Sequence, residues 1–358
     1  MEASATVMRV PDPGVRVLFG REQSWQAWLD CEAELADAEA ELGMIPAEAA
    51  AEIRRKAKLE LIDIEKVNEG LRVTGHPLVP LIWELSKICD GDAGGFVHWG
   101  ATTQNITQTG LLLQVRKAHR IFLDQIRRIL TAQAALAEKT KNYALPGRTH
   151  GQHAVPATFG VKVATWIDEF CRHVERLQQC EPRVFVAMLG GAAGTFASFG
   201  EEGQKLQDAY AKRLDMTPMP VPSRTTHDFC AEYVCILAMI GSSSARIAIE
   251  IFNGMKEEYG EIKEPIPAGT VGSSTMPQKR NPILSEAIIS AEVSLRAQVM
   301  VALQSMQGEH EAATAFTQMS QRCLNDACGY MGDILAGGLI LGMAGFAISL
   351  AAIAWQMW

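Results

Sequence analysis

The sequence lacks the patterns that mark several large classes of protein. Its eight cysteines form no C-x-x-C pair, and no histidine stands near them at the spacing of a zinc site. The first eleven residues contain no basic segment followed by an apolar run, so we expect no signal peptide. No stripe of Lys and Arg stands out in a chain of net charge −8, which argues against nucleic acid as a partner. We therefore predict a cytoplasmic protein with reduced thiols.

Strand signals are equally scarce. No sizeable segment is rich in strand-forming residues, and no internal repeat or low-complexity segment occurs. The glycine-rich stretch 190–195 (GGAAGT) lacks the G-x-G-x-x-G order and a βαβ context, so we reject a dinucleotide-binding fold. The remaining interpretation is an all-α protein whose long helices form a bundle.

Helical segments fill most of the chain. The segment 22–42 has an apolar face that includes Trp25 and Leu29. Its acidic residues, among them Glu32 and Glu39, are expected to face solvent. Further helices are predicted at 46–61, 64–71, 78–88, 106–142, 157–179, 202–214, 227–259 and 283–306. We predict three parts: a small helical N-terminal domain at 1–97, a central bundle domain at 98–333, and an apolar C-terminal helix at 334–358.

The C-terminal segment 334–358 has no charged residue over 25 positions and contains a G-x-x-x-G spacing from Gly338 to Gly342. Its length and apolarity meet the requirement for a transmembrane helix. A helix buried in the core of an oligomer has the same composition, and nothing else in the chain is membrane-like. We favour burial and do not expect the membrane to be a partner.

A loop with chemically useful side chains lies at 269–282 (GTVGSSTMPQKRNP). Its glycines, prolines and lack of apolar periodicity predict a mobile loop. It brings together the hydroxyls of Ser273 and Ser274, the cation of Lys279 and the amide of Asn281. We expect the N–H groups of the helix that follows to attract an anion. This combination suits a substrate that carries a carboxylate, while a solvated linker is the alternative.

The residue order of this loop resembles a signature of the fumarase/aspartase superfamily, G-S-S-x-M-P-x-K-x-N-P. Every fixed position of the signature is filled from Gly272 to Pro282. Members of the superfamily include adenylosuccinate lyase, argininosuccinate lyase and 3-carboxy-cis,cis-muconate cycloisomerase. The resemblance implies that Ser273 is the catalytic base. It also implies substrate contacts from Ser274, Met276, Lys279, Arg280 and Asn281.

A second block, HWGATTQN at 98–105, resembles the H-x-G-A-T-[ST]-x-D block of the superfamily. In that block the hydroxyls, here those of Thr102 and Thr103, bind a substrate carboxylate. Without the resemblance, the two threonines would be interpreted as helix N-caps.

A third block, RTHGQ at 148–152, resembles the superfamily segment that supplies the catalytic acid. His150 occupies the acid position, and an imidazole can release a proton near neutral pH. Thr149 and Gln152 are then predicted substrate contacts. A single histidine is more often structural, but His153 follows three residues later in the same polar segment.

Four positions depart from the pattern of the superfamily. Asn105 stands where Asp is common, and Gln108 where a second Asp is frequent. The segment 224–228 (RTTHD) stands where relatives often have Arg-Asp, and His227 is the substituted residue. Ala312 replaces a frequent Arg, so one substrate contact is missing. We expect the changes at Asn105 and Gln108 to alter fine tuning more than the chemistry, while the role of the His227 position stays open.

The resemblance covers about residues 20–330 and has implications for assembly and activity. It implies a homotetramer whose active sites each draw the three blocks from three subunits. The implied substrate is a small dicarboxylate or tricarboxylate, with no metal and no cofactor. Relatives usually continue into a further small C-terminal domain, whereas this sequence has the apolar segment 334–358.

Three interpretations of function follow. His76, within T-G-H-P, stands where adenylosuccinate lyases place a second histidine, which favours β-elimination from an N-substituted aspartate with release of fumarate. The GATTQ, RTHGQHA and GGAAGT stretches look more like 3-carboxy-cis,cis-muconate cycloisomerases, and we keep that activity as the alternative. A catalytically inactive homologue is the third interpretation. The retention of Ser273, His150, Lys279 and Asn281 argues against it.

Overall fold

The structure, a computed structural model, describes residues 10–265, 273, 275–276, 278–343 and 347–348. Within these residues the α-helices are α1 (Val15–Leu18), α2 (Arg21–Glu41), α3 (Ala47–Lys56), α4 (Ile64–Thr74), α5 (Val79–Ile88), α6 (Thr103–Thr140), α7 (Phe159–Val184), α8 (Gly203–Arg213), α9 (Asp228–Gly254), α10 (Ile283–Ser305) and α11 (Thr314–Met343). Short strands are β1 (Ala144–Thr149), β2 (Gln152–Thr158), β3 (Val186–Ala187), β4 (Thr217–Pro218), β5 (Ile262–Lys263) and β6 (Ala347–Ile348).

Five long helices form the central bundle. Helix α6 packs against α7 and α11, while α9 packs against α7, α10 and α11. Large side chains such as Phe122, Trp166 and Leu295 are almost fully buried there. Because burial of one such side chain contributes about 1.5–3 kcal/mol, this apolar interior stabilises the bundle. The predicted all-α bundle is confirmed.

The N-terminal helices pack beside the bundle, and α2 contacts α3, α6 and α8. Trp25 and Leu29 are buried as predicted. The expectation for two acidic residues was wrong, because Glu32 and Glu39 are only 2% and 0% exposed. A helix that contacts neighbours on several sides has no single solvent face. An amphipathic interpretation of α2 therefore misplaces the acids.

The principal strand pair is a hairpin that the sequence pattern did not predict. Strands β1 and β2 pair antiparallel, with a register irregularity between Gly147 and Arg148. Most residues of β2 are exposed on both faces. Alternation of apolar and polar residues arises only when one face is buried, so this hairpin carries no such signal.

The last helix differs from the prediction at both ends. Helix α11 begins at Thr314 rather than at residue 334, and it ends at Met343. Ala347 and Ile348 form β6 and pair antiparallel with β5, so a single helix over 334–358 is wrong. Residues 349–358 lie outside the described residues. Ile334 and Leu335 are buried within the bundle of their own chain.

In the described part of the chain, α9 is the one helix long and apolar enough to cross a membrane. Of its most apolar window, 56% is buried inside the fold, as expected for a core helix. The predicted domain boundaries at 97 and 333 stay predictions.

Candidate active site

The first turn of α6 begins directly after Thr102. The Oδ1 atom of Asn105 accepts a hydrogen bond from the N–H of Thr102 at 3.0 Å, which is one half of a capping box. Asn105 is fully buried, whereas Thr102 and Thr103 are partly exposed. The Asn105 amide therefore fixes the backbone that carries the two hydroxyls. It provides the acceptor oxygen that the more usual Asp would also supply.

Arg224 lies against this first turn. Its Nε donates to Oε1 of Gln104 at 3.1 Å, and its Nη1 donates to the carbonyl of Ala192 at 2.5 Å. Gln104 in turn donates from Nε2 to the carbonyl of Arg224 at 2.8 Å. This arrangement places a guanidinium and two hydroxyls at the positive end of a 38-residue helix. We use the name α6 corner for Thr102, Thr103, Gln104, Asn105 and Arg224.

The glycine-rich stretch makes room for the segment that carries Arg224. Gly194 has a φ of 76°, and a Cβ at this position would lie 2.2 Å from the carbonyl oxygen of Pro222. A Cβ at Gly190 would lie 2.5 Å from the Cβ of Pro222. Only glycine permits such approaches, which supports a structural role for this stretch.

Three titratable side chains lie close to the start of α6. Burial opposes the charged form of His98, but the ion pair with Glu32, at 2.7 Å between Nδ1 and Oε1, leaves the pKa of His98 raised. Burial and the nearby His98 both lower the pKa of His76. The Nδ1 atom of His76 accepts from the N–H groups of Leu78 and Val79. Its Nε2 is then the nitrogen available to a substrate.

Three of the four departures from the superfamily pattern leave buried polar atoms without a partner among the described residues. These atoms are Nδ2 of Asn105, Nε2 of Gln108 and both ring nitrogens of His227. Burial lowers the pKa of His227 to about 4, so its ring is neutral near pH 7. At the two positions where an amide stands in place of a carboxylate, the unsatisfied atom is the additional N–H donor.

His150 lies at the tip of the β1–β2 hairpin. It is exposed and has a φ of 54°, in the left-handed region that non-glycine residues seldom occupy. Thr149 and Gln152 are exposed beside it. In the described part of the chain, no hydrogen bond or ion pair joins His150 to Thr102 or Ser273.

The base of this hairpin is attached to the segment that enters the signature loop. Arg148 donates from Nη1 and Nη2 to the two carboxylate oxygens of Glu261 at 3.0 and 2.6 Å. Its guanidinium also lies 4.8 Å from the ring centroid of Tyr259. A bidentate pair of this kind has fixed geometry. The hairpin of His150 and the start of the loop of Ser273 therefore lie at the same end of the bundle.

The signature loop is described in part. The Oγ atom of Ser273 accepts from the N–H groups of Thr275 at 3.4 Å and Met276 at 3.2 Å. Donors placed in this way stabilise negative charge on the oxygen. Ser274 lies outside the described residues, as do residues 266–272.

Four further loop residues of the prediction are described. Met276 is 44% exposed, and Lys279 and Arg280 are exposed. Within the described residues, neither cation forms an ion pair. Asn281 is partly buried, and its carbonyl accepts from the N–H of Ile283 at 2.9 Å. The cationic side chains of the loop are thus available to an anion.

The N-terminus of α10 corrects one expectation. The carboxylate of Glu264 accepts from the N–H groups of Leu284 at 2.6 Å and Ser285 at 3.1 Å, and from the Ser285 hydroxyl at 2.9 Å. An anion of the protein itself therefore occupies this helix terminus, in place of a substrate. Glu264 and Ser285 stand on either side of the loop, so their contact joins its two ends.

The first block and the tip of the hairpin do not meet within one chain. Helix α6 separates the first block from the hairpin by 38 residues, or roughly 57 Å at ~1.5 Å per residue. The ten residues from Thr140 to His150 reach at most ~34 Å when extended. Thr102 and His150 are therefore at least about 20 Å apart. A single succinyl group cannot contact both.

A cavity of about 560 Å³ lies elsewhere, between α6, α7 and the segment from α8 to β4. None of the predicted site residues lines it. Among the described residues, no group of three or more His, Cys, Asp or Glu side chains is arranged to hold a metal ion.

Sequence reasoning missed three contacts of this site. The position of Arg224 beside α6 and the pairing of Glu264 with α10 connect residues 120 and 20 positions apart. The Arg148–Glu261 pair spans 113 positions. No short-range pattern reports such contacts.

Comparison with known proteins identifies the class of this protein. A family model described as Lyase matches residues 8–297. The chain belongs to this lyase family, within the fumarase/aspartase superfamily, and the fold agrees with that assignment.

Two lyases are similar to this chain over most of its length. The chain is 40% identical over 322 residues to the adenylosuccinate lyase of Methanothermobacter thermautotrophicus, covering 89% of this chain and 72% of that protein. It is also 40% identical over 297 residues to the N-acetyl-S-(2-succino)cysteine lyase of Enterococcus italicus, covering 83% of this chain and 65% of that one. The chain thus spans about two thirds to three quarters of the length of these relatives.

A solved structure gives the same result for the fold. The 3-carboxy-cis,cis-muconate lactonizing enzyme of Pseudomonas putida superimposes with a TM-score of 0.89 at 30% identity. The superposition covers 96% of this chain and 77% of that one.

Proposed function

We propose that this protein is a lyase that removes a leaving group from a succinyl-substituted substrate by β-elimination and releases fumarate. Two of its relatives act on substrates whose names contain a succino group, one on adenylosuccinate and one on a succinocysteine. The leaving group is then a nitrogen, as in an N-substituted aspartate, or a sulfur.

The observation that carries this proposal is the environment of Ser273. Removal of a proton next to a carboxylate requires a strong base and donors where negative charge develops. Two backbone N–H groups already donate to Oγ of Ser273, which favours its alkoxide form. Ser273 would take the proton, while Lys279 and Asn281 would stabilise the charge on the carboxylate.

His150 would complete the reaction as the acid. The electron pair left by the departing proton forms the double bond of fumarate, and the bond to the leaving atom breaks. Protonation of that atom by His150 makes it a good leaving group. Thr102, Thr103 and Nε2 of His76 would hold the succinyl part, with Thr149, Gln152, Ser274, Met276 and Arg280 lining the remaining site.

We further propose that the protein works as a cytoplasmic homotetramer with composite active sites. The separation of Thr102 from His150 within one chain supports a site shared between subunits. Helix α10 also exposes apolar side chains, among them Val293 at 54% and Met300 at 73%, as subunit interfaces do. The eight free thiols suit a reducing compartment.

Fumarate formation tests the reaction. Purified protein is mixed with adenylosuccinate, argininosuccinate or N-acetyl-S-(2-succino)cysteine, and the ultraviolet absorbance of fumarate is followed. We expect turnover of at least one substrate and a loss of about 10³-fold or more in kcat for Ser273→Ala. The exposed Ser290→Ala on α10 serves as the matched control. Equal rates for wild type and Ser273→Ala would refute the role of Ser273.

Mixing variants tests the composite site. Ser273→Ala and His150→Asn proteins are each inactive on this proposal, but mixed tetramers contain sites in which both residues are intact. We expect activity to return after subunit exchange. No recovery in tetramers shown to be mixed would contradict the shared site.

The second candidate is a 3-carboxy-cis,cis-muconate cycloisomerase. It is favoured by the TM-score of 0.89 to the enzyme from Pseudomonas putida. Consumption of 3-carboxy-cis,cis-muconate without turnover of any succino substrate would move the assignment to this activity. Inactivity on both substrate classes would favour a catalytically inactive homologue.

A further inference from the structure

We propose that Arg224 binds a second anionic group of the substrate, a carboxylate or phosphate separate from the carboxylate held by Thr102 and Thr103. The inference rests on the proposed function for its substrate class. It adds a specificity-determining residue that the three sequence blocks do not contain.

Arg224 is a cation held by neutral partners. Its Nε and Nη1 donate to the side-chain oxygen of Gln104 and the carbonyl of Ala192. Among the described residues, no carboxylate forms an ion pair with it. The guanidinium is partly buried, and burial lowers its pKa. A partly buried charge is costly without a counter-charge, so this position favours an incoming anion.

The geometry leaves a free edge on the guanidinium. Arginine has five N–H donors in a planar fork, and the two contacts with Gln104 and Ala192 use Nε and one N–H of Nη1. The donors of Nη2 and the second N–H of Nη1 remain. Two such parallel donors match the two oxygens of a carboxylate or phosphate.

Arg224 is also rigidly placed relative to the hydroxyls of Thr102 and Thr103. Gln104 contacts both its side chain and its backbone, at 3.1 and 2.8 Å. Gln104 is 7% exposed and belongs to the first turn of α6, next to Thr103. A fixed distance between two anion-binding positions selects substrates with two anionic groups at a matching separation.

Asn105 provides a second sign that a polar group is accommodated here. Its Nδ2 is buried and has no partner among the described residues, although Oδ1 of the same amide accepts from the N–H of Thr102. Unsatisfied buried donors are uncommon in folded proteins. This N–H lies beneath the surface, so its partial positive charge adds to the potential at the α6 corner without contacting a ligand.

A backbone bridge at Arg224 is consistent with the same assignment. Arg224 forms an isolated parallel bridge with Ala312, whose side chain has no charge. The residue that the bridge places beside Arg224 therefore supplies no carboxylate to its guanidinium.

The second anionic group has two sources that an experiment can separate. Fumarate contains two carboxylates and no leaving group, whereas a full substrate such as adenylosuccinate adds the anion of the leaving group. Fumarate binding is therefore measured by calorimetry for wild type, Arg224→Gln and Arg224→Lys. The KM of each turned-over substrate is measured in parallel. Arg127→Gln, which removes an exposed arginine paired with Asp124 on the same helix α6, is the control.

Weakening of fumarate binding by about 10- to 100-fold in Arg224→Gln would assign Arg224 to the second carboxylate of the succinyl part. Unchanged fumarate binding with a KM raised by about 10-fold or more, only for substrates with an anionic leaving group, would assign it to that group. Arg224→Lys keeps the charge but not the planar fork, so we expect an intermediate effect. If Arg224→Gln does not fold, fumarate affinity and KM measured on Arg224→Lys distinguish these outcomes.

Several results overturn the inference. Wild-type affinity for fumarate together with wild-type KM values in the folded variant would exclude a binding role for Arg224. A wild type that binds fumarate but turns over no succino substrate would refute the proposed reaction. The comparison of fumarate affinity between wild type and Arg224→Gln would still test the binding role of Arg224. If the wild type binds neither fumarate nor any succino substrate, both proposals are wrong.

Discussion

The α6 corner and the tip of the β1–β2 hairpin carry different parts of the proposed chemistry in opposite surroundings. At the corner, Gln104 and Asn105 are buried and Arg224 is fixed through two neighbours. At the tip, His150 is exposed and has no partner among the described residues. The side chains of the α6 corner are thus fixed by contacts within one chain, whereas the side chain of His150 at the hairpin tip is exposed.

This difference has a physical explanation. An anion-binding position works best when its donors are fixed before the ligand arrives, because reorganisation then costs little. The proposed acid, His150, must reach the leaving atom of the substrate, and its exposed position at the hairpin tip makes it accessible. Arg148 and Glu261 fix the base of the hairpin, while the side chain of His150 at its tip stays exposed.

The largest expected effect tests the hairpin side of the comparison. In His150→Asn we expect kcat to fall by about 10²–10⁴-fold, as for loss of a general acid. The melting temperature should stay unchanged, because the side chain is exposed and Asn tolerates a positive φ. His153→Asn, an exposed change on the same hairpin, should leave kcat near the wild-type value. A fall in kcat for His153→Asn alone would reverse the assignment.

The second effect tests the buried acids of α2, the helix that packs against α6. Burial and the neighbouring Glu32 raise the pKa of Glu39 to about 9, so the folded protein keeps a proton that the unfolded chain releases near pH ~4.3. Stability therefore falls as the pH rises from ~4.3 towards 9. Glu39→Gln should raise the free energy of unfolding by about 2–4 kcal/mol at pH 8 and by little at pH 4.

Denaturant unfolding from pH 4 to pH 8 measures this effect. Glu41→Gln, at the exposed end of the same helix, should change stability by no more than about 0.5 kcal/mol at either pH. A pH-independent effect of Glu39→Gln would show that Glu39 does not hold a proton in the folded state.

The smallest effect concerns the first turn of α6. Asn105→Ala removes the oxygen that accepts from the N–H of Thr102, and we expect a loss of about 1–2 kcal/mol in unfolding free energy. Asn105→Asp keeps that acceptor and adds a negative charge at a helix N-terminus, so it should be more stable than Asn105→Ala. If both variants unfold like the wild type, the corner is not organised by this contact.

Much of the fold was predictable because its signals are local. Helical composition and breaks at glycine and proline predicted α2, α5, α6 and α10 to within a few residues. The β1–β2 hairpin was not predicted, because exposure of both faces removes the alternating pattern of apolar and polar residues. The first part of α11 was not predicted either, although the same helix continues into the apolar segment that the composition identifies.

The candidate site also has residues that local sequence patterns predict and contacts that they do not. The order of residues in the three blocks led to the prediction of Ser273, His150, Thr102 and Thr103, because a chemical signature consists of neighbouring positions. Their roles stay predictions. The contact of Arg224 with Gln104 spans 120 positions along the chain and leaves no trace in either segment.

The sequence by itself determined the helical class and the order along the chain of the residues that we propose for the chemistry. Tertiary structure alone decided that Glu32 and Glu39 are buried and that Glu264 occupies the N-terminus of α10. It alone decided that a long helix separates Thr102 from His150. The physical reason is the range of the interactions: propensity and signature act over a few residues, whereas burial and ion pairing depend on which distant segments pack together.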